Sequence, residues 1–365
     1  MSPAPSIPFV DLHLGADEDD VREAVARVVR SGWFVLGPEV EAFEREFAGA
    51  SGAPHAVGVA NGTDAIALLL RAAGVDPGDE VVVPALTAPF TALAVTAIGA
   101  RPVFADVDPR RLTLDPDACE AALTPRTRAI VPVHLYGQPA DVPALEALAA
   151  RRGLALVEDC CQAHLATSAG VPVGTRGVGG AFSFYPTKNL GALGDGGAVV
   201  TRDPTVAGTV RRLRNGGRAD RDRHVLPGVN SRLDEMQAAV LRARLTRLGA
   251  WTARRRELAA AYRRALDPAV HVVPECDPGH VQHLFVVRSR TRASLMAHLA
   301  AGGVETLVHY PVPLTAQPAF AAWPAAPCPA AVEAAAEVLS LPLHPRLAEA
   351  DVHRVAALVN EAHAR

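Results

Sequence analysis

The chain has 365 residues, 49% hydrophobic and 21% charged, with a formal net charge of −3. The length suits two domains, and the composition can bury a large core and excludes global disorder. No basic excess points to nucleic acid, and there is no acidic tail. In chain order, Ala56–Ala60 reads as a strand and Asp64–Ala73 as a helix. Glu80–Pro84 is an expected strand, Phe90–Ile98 a helix, Pro102–Asp106 a strand and Ala129–His134 another. Val142–Arg152 reads as a helix, then Ala155–Asp159, Ala181–Phe184 and Ala198–Thr201 as strands. Strands alternating with crossover helices imply a largely parallel sheet with helices on both faces. The continuously apolar strand runs fit burial on both sides. After about Asn230 the pattern changes. Leu233–Leu266 reads as one or two long helices, His283–Arg288 as a strand and Ser294–Ala301 as a helix. A Pro-rich loop spans Pro311–Pro329, followed by a helix over Ala330–Leu339. The expected division is a large domain over 1–245 and a smaller α/β domain over 246–365.

The uncharged run Val81–Ala100 is long enough to raise a membrane helix. Pro84 and Pro89 interrupt it, so it reads as strand, loop and buried helix. The stretch before Phe9 carries no Arg-rich or apolar targeting pattern. Five cysteines, two of them adjacent at Cys160–Cys161, fit reduced thiols in a cytoplasm better than a disulfide framework. Without CxxC or HExxH, no metal site is expected.

Lysine plus arginine total 36, and one of them, Lys188, is a lysine. An arginine-biased composition explains the other 35 but not the survivor. Arginine keeps its charge near neutral pH, whereas lysine can lose its proton and attack a carbonyl. Lys188 follows a strand in Ser183-Phe184-Tyr185-Pro186-Thr187-Lys188-Asn189, with Gly191, Gly194, Gly196 and Gly197 behind it. This is either a glycine-rich hairpin with an exposed lysine or a loop that approaches a ligand closely. Asn61-Gly62-Thr63-Asp64 joins a strand to a helix, where free amides and the helix dipole make a phosphate seat. Plain N-capping by Asn61 or Thr63 is the other reading. Asp159 closes a strand, at the sheet edge where ligands bind in open α/β folds. There it either faces a ring nitrogen or serves as a cap or ion-pair acid. The glycine spacing does not fit a nicotinamide-binding turn. A phosphate seat, a strand-end carboxylate and a unique lysine are together what pyridoxal phosphate requires.

In these residues the chain resembles the DegT/DnrJ/StrS family of pyridoxal-phosphate-dependent sugar aminotransferases, over nearly its full length. Ile7–Leu12, Ser31–Val40, Asn61–Ala65, Val157–His164, Ser183–Asn189, Gly228–Glu235, His309–Pro311 and Gln317–Phe320 carry the resemblance. It implies a fold-type I α/β architecture: a large domain with a mostly parallel central sheet flanked by helices, plus a smaller C-terminal α/β domain. It implies Lys188 as the cofactor-bearing catalytic residue. Asp159 would face the pyridine nitrogen, with Gln162 near the ring. Ser183, Gly62 and Thr63 would hold the phosphate, joined by Asn230 of the partner subunit in a homodimer. Tyr185, His309, Tyr310, Arg218 and Arg223 are the expected substrate contacts. The chain departs from the family pattern at Ala88, where an aromatic usually covers the cofactor, at Gly216 and Thr315, where His is common, and in the tyrosine-free loop Arg218–Pro227. The expected reaction moves an amino group from an amino acid, L-glutamate by resemblance, to a dTDP-linked 3-keto-deoxyhexose. A keto-cyclitol acceptor and a non-catalytic regulator are the alternatives. A dehydrating relative carries His in place of the lysine, so Lys188 speaks against that branch.

Overall fold

The apolar, β-branched runs of the first two hundred residues form one seven-stranded sheet in the computed structural model, which describes residues 6–323 and 325–364. Residues 1–5 of the segment before Phe9 lie outside it. The strands are β1 (His55–Val59), β2 (Glu80–Pro84), β3 (Arg101–Ala105), β4 (Thr127–Ile130) and β5 (Ala155–Asp159). A short hairpin of β6 (Thr167–Ser168) and β7 (Val171–Pro172) precedes β8 (Gly179–Ser183) and β9 (Gly197–Thr201). The order across the sheet is β1-β9-β8-β5-β4-β2-β3. Only β9 runs against the others, pairing antiparallel with β1 and β8. A second sheet, antiparallel throughout, orders β10 (His271–Val272), β11 (Phe285–Arg288) and β12 (Val338–Leu341).

Eleven α-helices surround the sheets among the described residues: α1 (Glu18–Ser31), α2 (Pro38–Ala50), α3 (Gly62–Ala72), α4 (Phe90–Ala97), α5 (Pro116–Ala121), α6 (Val142–Arg152), α7 (Pro204–Leu213), α8 (Glu235–Ala265), α9 (Arg292–Ala301), α10 (Pro329–Glu337) and α11 (Glu349–His363). Side-chain caps start several of them. Asn61 Oδ1 accepts from Asp64 N at 2.9 Å, Asp115 from Ala118 N at 2.8 Å and Asp203 from Thr205 N at 2.6 Å, satisfying amides that have no intrahelical partner. α2 is capped from afar. Gly37 has no side chain to offer, and the Glu235 carboxylate accepts from Gly37, Glu39 and Val40 amides, each at 2.8 Å.

The expected elements occur, with shifted ends. The strand expected to reach His134 stops at Ile130, since Pro132 has no N–H for the ladder. The helix expected to reach Leu339 stops at Glu337, and Val338–Leu341 turns into β12, paired to β11. Leu233–Leu266 resolves into the single 31-residue α8, which runs straight through residue 245. At 1.5 Å per residue it is about 46 Å long. Its first half packs Leu241 and Leu248 with Phe43, Phe47 and Phe184, and its second half packs Leu258 and Tyr262 with Phe285 and Leu339.

Candidate active site

Neighbouring residues of a strand face opposite sides, and the end of β5 uses both. Glu158 is fully buried and accepts from His134 Nε2 at 3.0 Å and Arg176 N at 3.0 Å. His134 Nδ1 accepts from Ala140 N, so the ring proton sits on Nε2 and donates to Glu158. Asp159, also buried, points to the other side. Its Oδ2 accepts from Thr91 Oγ1 at 2.8 Å and its Oδ1 from Cys161 N at 3.1 Å.

The parallel neighbour β8 ends at Ser183, five residues before Lys188. The turn is closed by Lys188 N donating to Tyr185 O at 2.8 Å. The next residue anchors the loop. Asn189 Nδ2 donates to Val281 O at 3.3 Å, which turns its Oδ1 toward His283 Nδ1 at 3.0 Å. His283 therefore donates from Nδ1. Burial pushes the Lys188 amine below its ordinary value, opposed by Cys161 and Asp159 nearby. A neutral amine is what nucleophilic and base chemistry needs.

The turn into α3 lies against the same segments. A Cβ on Gly62 would sit 2.7 Å from Cys161 Sγ and 2.8 Å from Ser183 Cβ. One on Gly197 would sit 2.4 Å from the Asn61 carbonyl and 2.9 Å from Gly62 N. Only glycine permits this approach, which brings the strand ends of β1, β5, β8 and β9 together. Asn61 caps Asp64, and among the described residues no hydrogen bond occupies the Gly62 or Thr63 amide. With half-buried Ser183 beside them they form an anion seat at a helix N-terminus.

Gln162 is held at both ends of its amide. Its Oε1 accepts from Tyr136 N at 2.7 Å, and its Nε2 donates to the Tyr310 hydroxyl at 3.1 Å. Tyr136 in turn donates its hydroxyl to His309 O, and His309 Nδ1 lies 2.9 Å from Ser340 Oγ with its ring stacked on Phe9. Burial, then the Lys188 charge, drives His164 down to about 3 and His309 to about 4; His283 also lies well below its ordinary value. Burial pushes the Tyr310 hydroxyl up to about 12. The lysine is thus surrounded by neutral imidazoles and phenols.

Lys188, Asp159, Ser183, Gly62, Thr63, Gln162, His309 and Tyr310 fall in this one region. Tyr185 borders it, 52% exposed, its amide donating to Ser183 Oγ at 3.3 Å. Asn230 is exposed and bridges Asn215, while Ser231 beside it accepts from Ala60 N at 3.1 Å, just ahead of Gly62. Arg218 and Arg223 lie on an exposed loop folded by Asp220, whose carboxylate accepts from Arg223 N at 2.9 Å and pairs with its guanidinium at 3.5 Å. No hydrogen bond or ion pair among the described residues ties that loop to the lysine. Ala88 is half-buried, and Phe90 is 59% exposed. Sequence reasoning did not single out Thr91, Tyr136, Asn189 or His283. Gly137, with φ near +87° behind Tyr136 at φ +62°, was a readable sign of the tight turn there.

The sequence profile of the DegT/DnrJ/EryC1/StrS aminotransferase family matches residues 16–360. The chain is 50% identical to dTDP-3-amino-3,4,6-trideoxy-alpha-D-glucose transaminase of Streptomyces venezuelae, over 98% of this chain and 96% of that one. It is 49% identical to the erythromycin biosynthesis sensory transduction protein EryC1 of Saccharopolyspora erythraea, over 96% and 98%. The crystal structure of S. venezuelae DesV in complex with a ketimine intermediate superposes with a TM-score of 0.94 at 49% identity, covering 99% of this chain and all of that one. With the lysine, the strand-end acid and the anion seat in one place, and a match over nearly the whole length, this chain belongs to the DegT/DnrJ/EryC1/StrS aminotransferase family.

Proposed function

We propose that the chain is a pyridoxal-phosphate-dependent aminotransferase that moves an amino group from L-glutamate to the ketone of a dTDP-linked 3-keto-deoxyhexose. The observation that carries this reading is the one lysine of the sequence, close to Asp159 and to Cys161, with Cys161 packed against Gly62 and Ser183. The residues fit the cofactor. At Gly62 a Cβ would strike Cys161 and Ser183, so glycine keeps the start of α3 against Ser183; two helix amides and a serine suit a phosphate, and a carboxylate suits a protonated pyridine nitrogen. When bound, the cofactor supplies an electron sink for deprotonation at the substrate carbon. Lys188 Nζ would hold it by its carbonyl carbon and, once the substrate amine has displaced Nζ from that carbon, would take a proton from the substrate carbon and return one. Burial lowers the Lys188 amine below its ordinary value, which favours release of its proton for that work. Asp159 orients the ring through its nitrogen, and Gln162 fixes the wall beside it. Ser183, Gly62 and Thr63 anchor the phosphate. Tyr185, His309 and Tyr310 line the acceptor side, and the Arg218–Arg223 loop offers guanidinium forks to a diphosphate.

The working form in this reading is a cytoplasmic homodimer, with Asn230 completing the phosphate site of its partner. Asn230 is exposed, and an apolar patch flanks the start of α8. Phe34 O accepts from Glu235 N, Leu193 N donates to Gln237 Oε1, and Trp33, Phe34 and Leu193 are 57%, 52% and 48% exposed. A second copy would cover them. Five free cysteines accord with a reducing compartment, and no helix among the described residues is long and apolar enough to cross a membrane.

Support for the sugar comes from the Streptomyces venezuelae relative, named for a dTDP-3-amino sugar. The test uses enzyme preloaded with pyridoxamine phosphate. A dTDP-linked 3-keto-deoxyhexose should return the pyridoxal absorption faster than a free inosose does. A large preference for the inosose assigns a cyclitol acceptor instead, and no response to either favours a regulator.

A further inference from the structure

Resting on the reading in which Asp159 faces the pyridine nitrogen, we propose that Thr91 is the positioning residue that aims the Asp159 carboxylate. The sheet order puts β4 between β5, which ends at Asp159, and β2, which leads into α4. The chain that leaves β2 nevertheless brings the start of α4 to the end of β5. Thr91 is the second residue of α4 and 1% exposed, and its hydroxyl donates to Asp159 Oδ2 at 2.8 Å. The Cys161 amide donates to the other oxygen at 3.1 Å. One donor on each oxygen, from two different elements, stops rotation of the carboxylate plane and leaves its remaining lone pairs aimed at one place.

Nothing else explains a threonine at this point. Valine would fill the same volume in an apolar run, and the hydroxyl has no second partner among the described residues. Without it, Asp159 keeps one protein donor and a free rotation. The carboxylate then shares its orientation between the ring nitrogen and the empty position left by the hydroxyl.

The experiment compares Thr91→Val and Thr91→Ser with Asp159→Asn. Two quantities are read: the dissociation constant of pyridoxal phosphate by absorption titration of apoenzyme, and the nitrogen-15 chemical shift of bound, ring-labelled cofactor. Thr91→Val should weaken binding about tenfold, about 1.4 kcal/mol, and move the shift toward that of unprotonated pyridine. Thr91→Ser, which keeps the donor, should restore both. If Thr91→Val does not fold, Thr91→Ala carries the same expectation. Wild-type values in Thr91→Val beside altered values in Asp159→Asn would overturn the role of Thr91 alone. Wild-type values in Asp159→Asn would overturn the assignment of Asp159 itself, and the inference with it.

Discussion

An amine becomes a base at neutral pH only where its surroundings disfavour the ammonium form, and burial does this for Lys188. Arginine in its place keeps charge and bulk but cannot give up the proton. Lys188→Arg should therefore fold, with a thermal midpoint near that of the wild type, and lose turnover by about three orders of magnitude or more. Borohydride reduction of the loaded wild type should place the label on a single internal peptide; a label spread elsewhere would refute the assignment. Lys188 was legible because arginine replaces lysine everywhere else. Asp159 and Gly62 were legible because strand ends and strand–helix turns are recognisable locally. Thr91 was not. Its partner is 68 residues away, and a threonine near a helix start is ordinary in any sequence. Arg218 and Arg223 were legible as a charged, exposed loop, whereas the pairing of Arg223 with Asp220 at 3.5 Å was not.

At the level of elements, the helices α1 and α2 went unread because their order depends on distant residues. α2 starts on a glycine, and its cap is Glu235 at the head of α8. Glu39 in its first turn is clasped by Arg27 of α1 at 2.6 Å and Arg242 of α8 at 2.7 Å. Charge-assisted hydrogen bonds contribute about 1.5–3 kcal/mol each, and Glu235 accepts three in a buried setting. Glu235→Ala should cost at least about 3 kcal/mol, read as a lower midpoint in urea unfolding with little change in slope. Loss of under about 1 kcal/mol would mean that water replaces the carboxylate. α8 itself was legible as helix from its spacing, but whether one or two helices was not, since local sequence does not reveal that both ends are packed into separate cores. The same limit explains β12: an Ala-rich helix leads directly into Val338, and only pairing with β11 decides that the chain extends there.

For the whole molecule, buried neutral histidines set the acid limit. Burial lowers His164 and His280 to about 3 and His309 to about 4, and also lowers His283 and His344. Their unfolded values lie near 6.5. As pH falls below about 6.5, the unfolded chain takes up protons that the folded chain refuses, so stability present above that pH is lost on acidification. Each such group contributes about 1.4 kcal/mol per pH unit once its unfolded form is protonated, and His164, His280, His283 and His309 together make the fall steep between pH 6 and about 4. The thermal midpoint should therefore be nearly flat from pH 8 to 7 and drop sharply by pH 5. A flat profile to pH 5 would show that these imidazoles titrate within the folded protein.

The single lysine also determines how the molecule meets reagents from outside. Its surface cations are guanidinium groups, and the lone side-chain amine is recessed beside Cys161 and Asp159. With Lys188 occupied by the cofactor, succinimidyl esters and glutaraldehyde will find little besides the α-amino group, so amine coupling of the loaded enzyme tethers each molecule by one end, in one orientation.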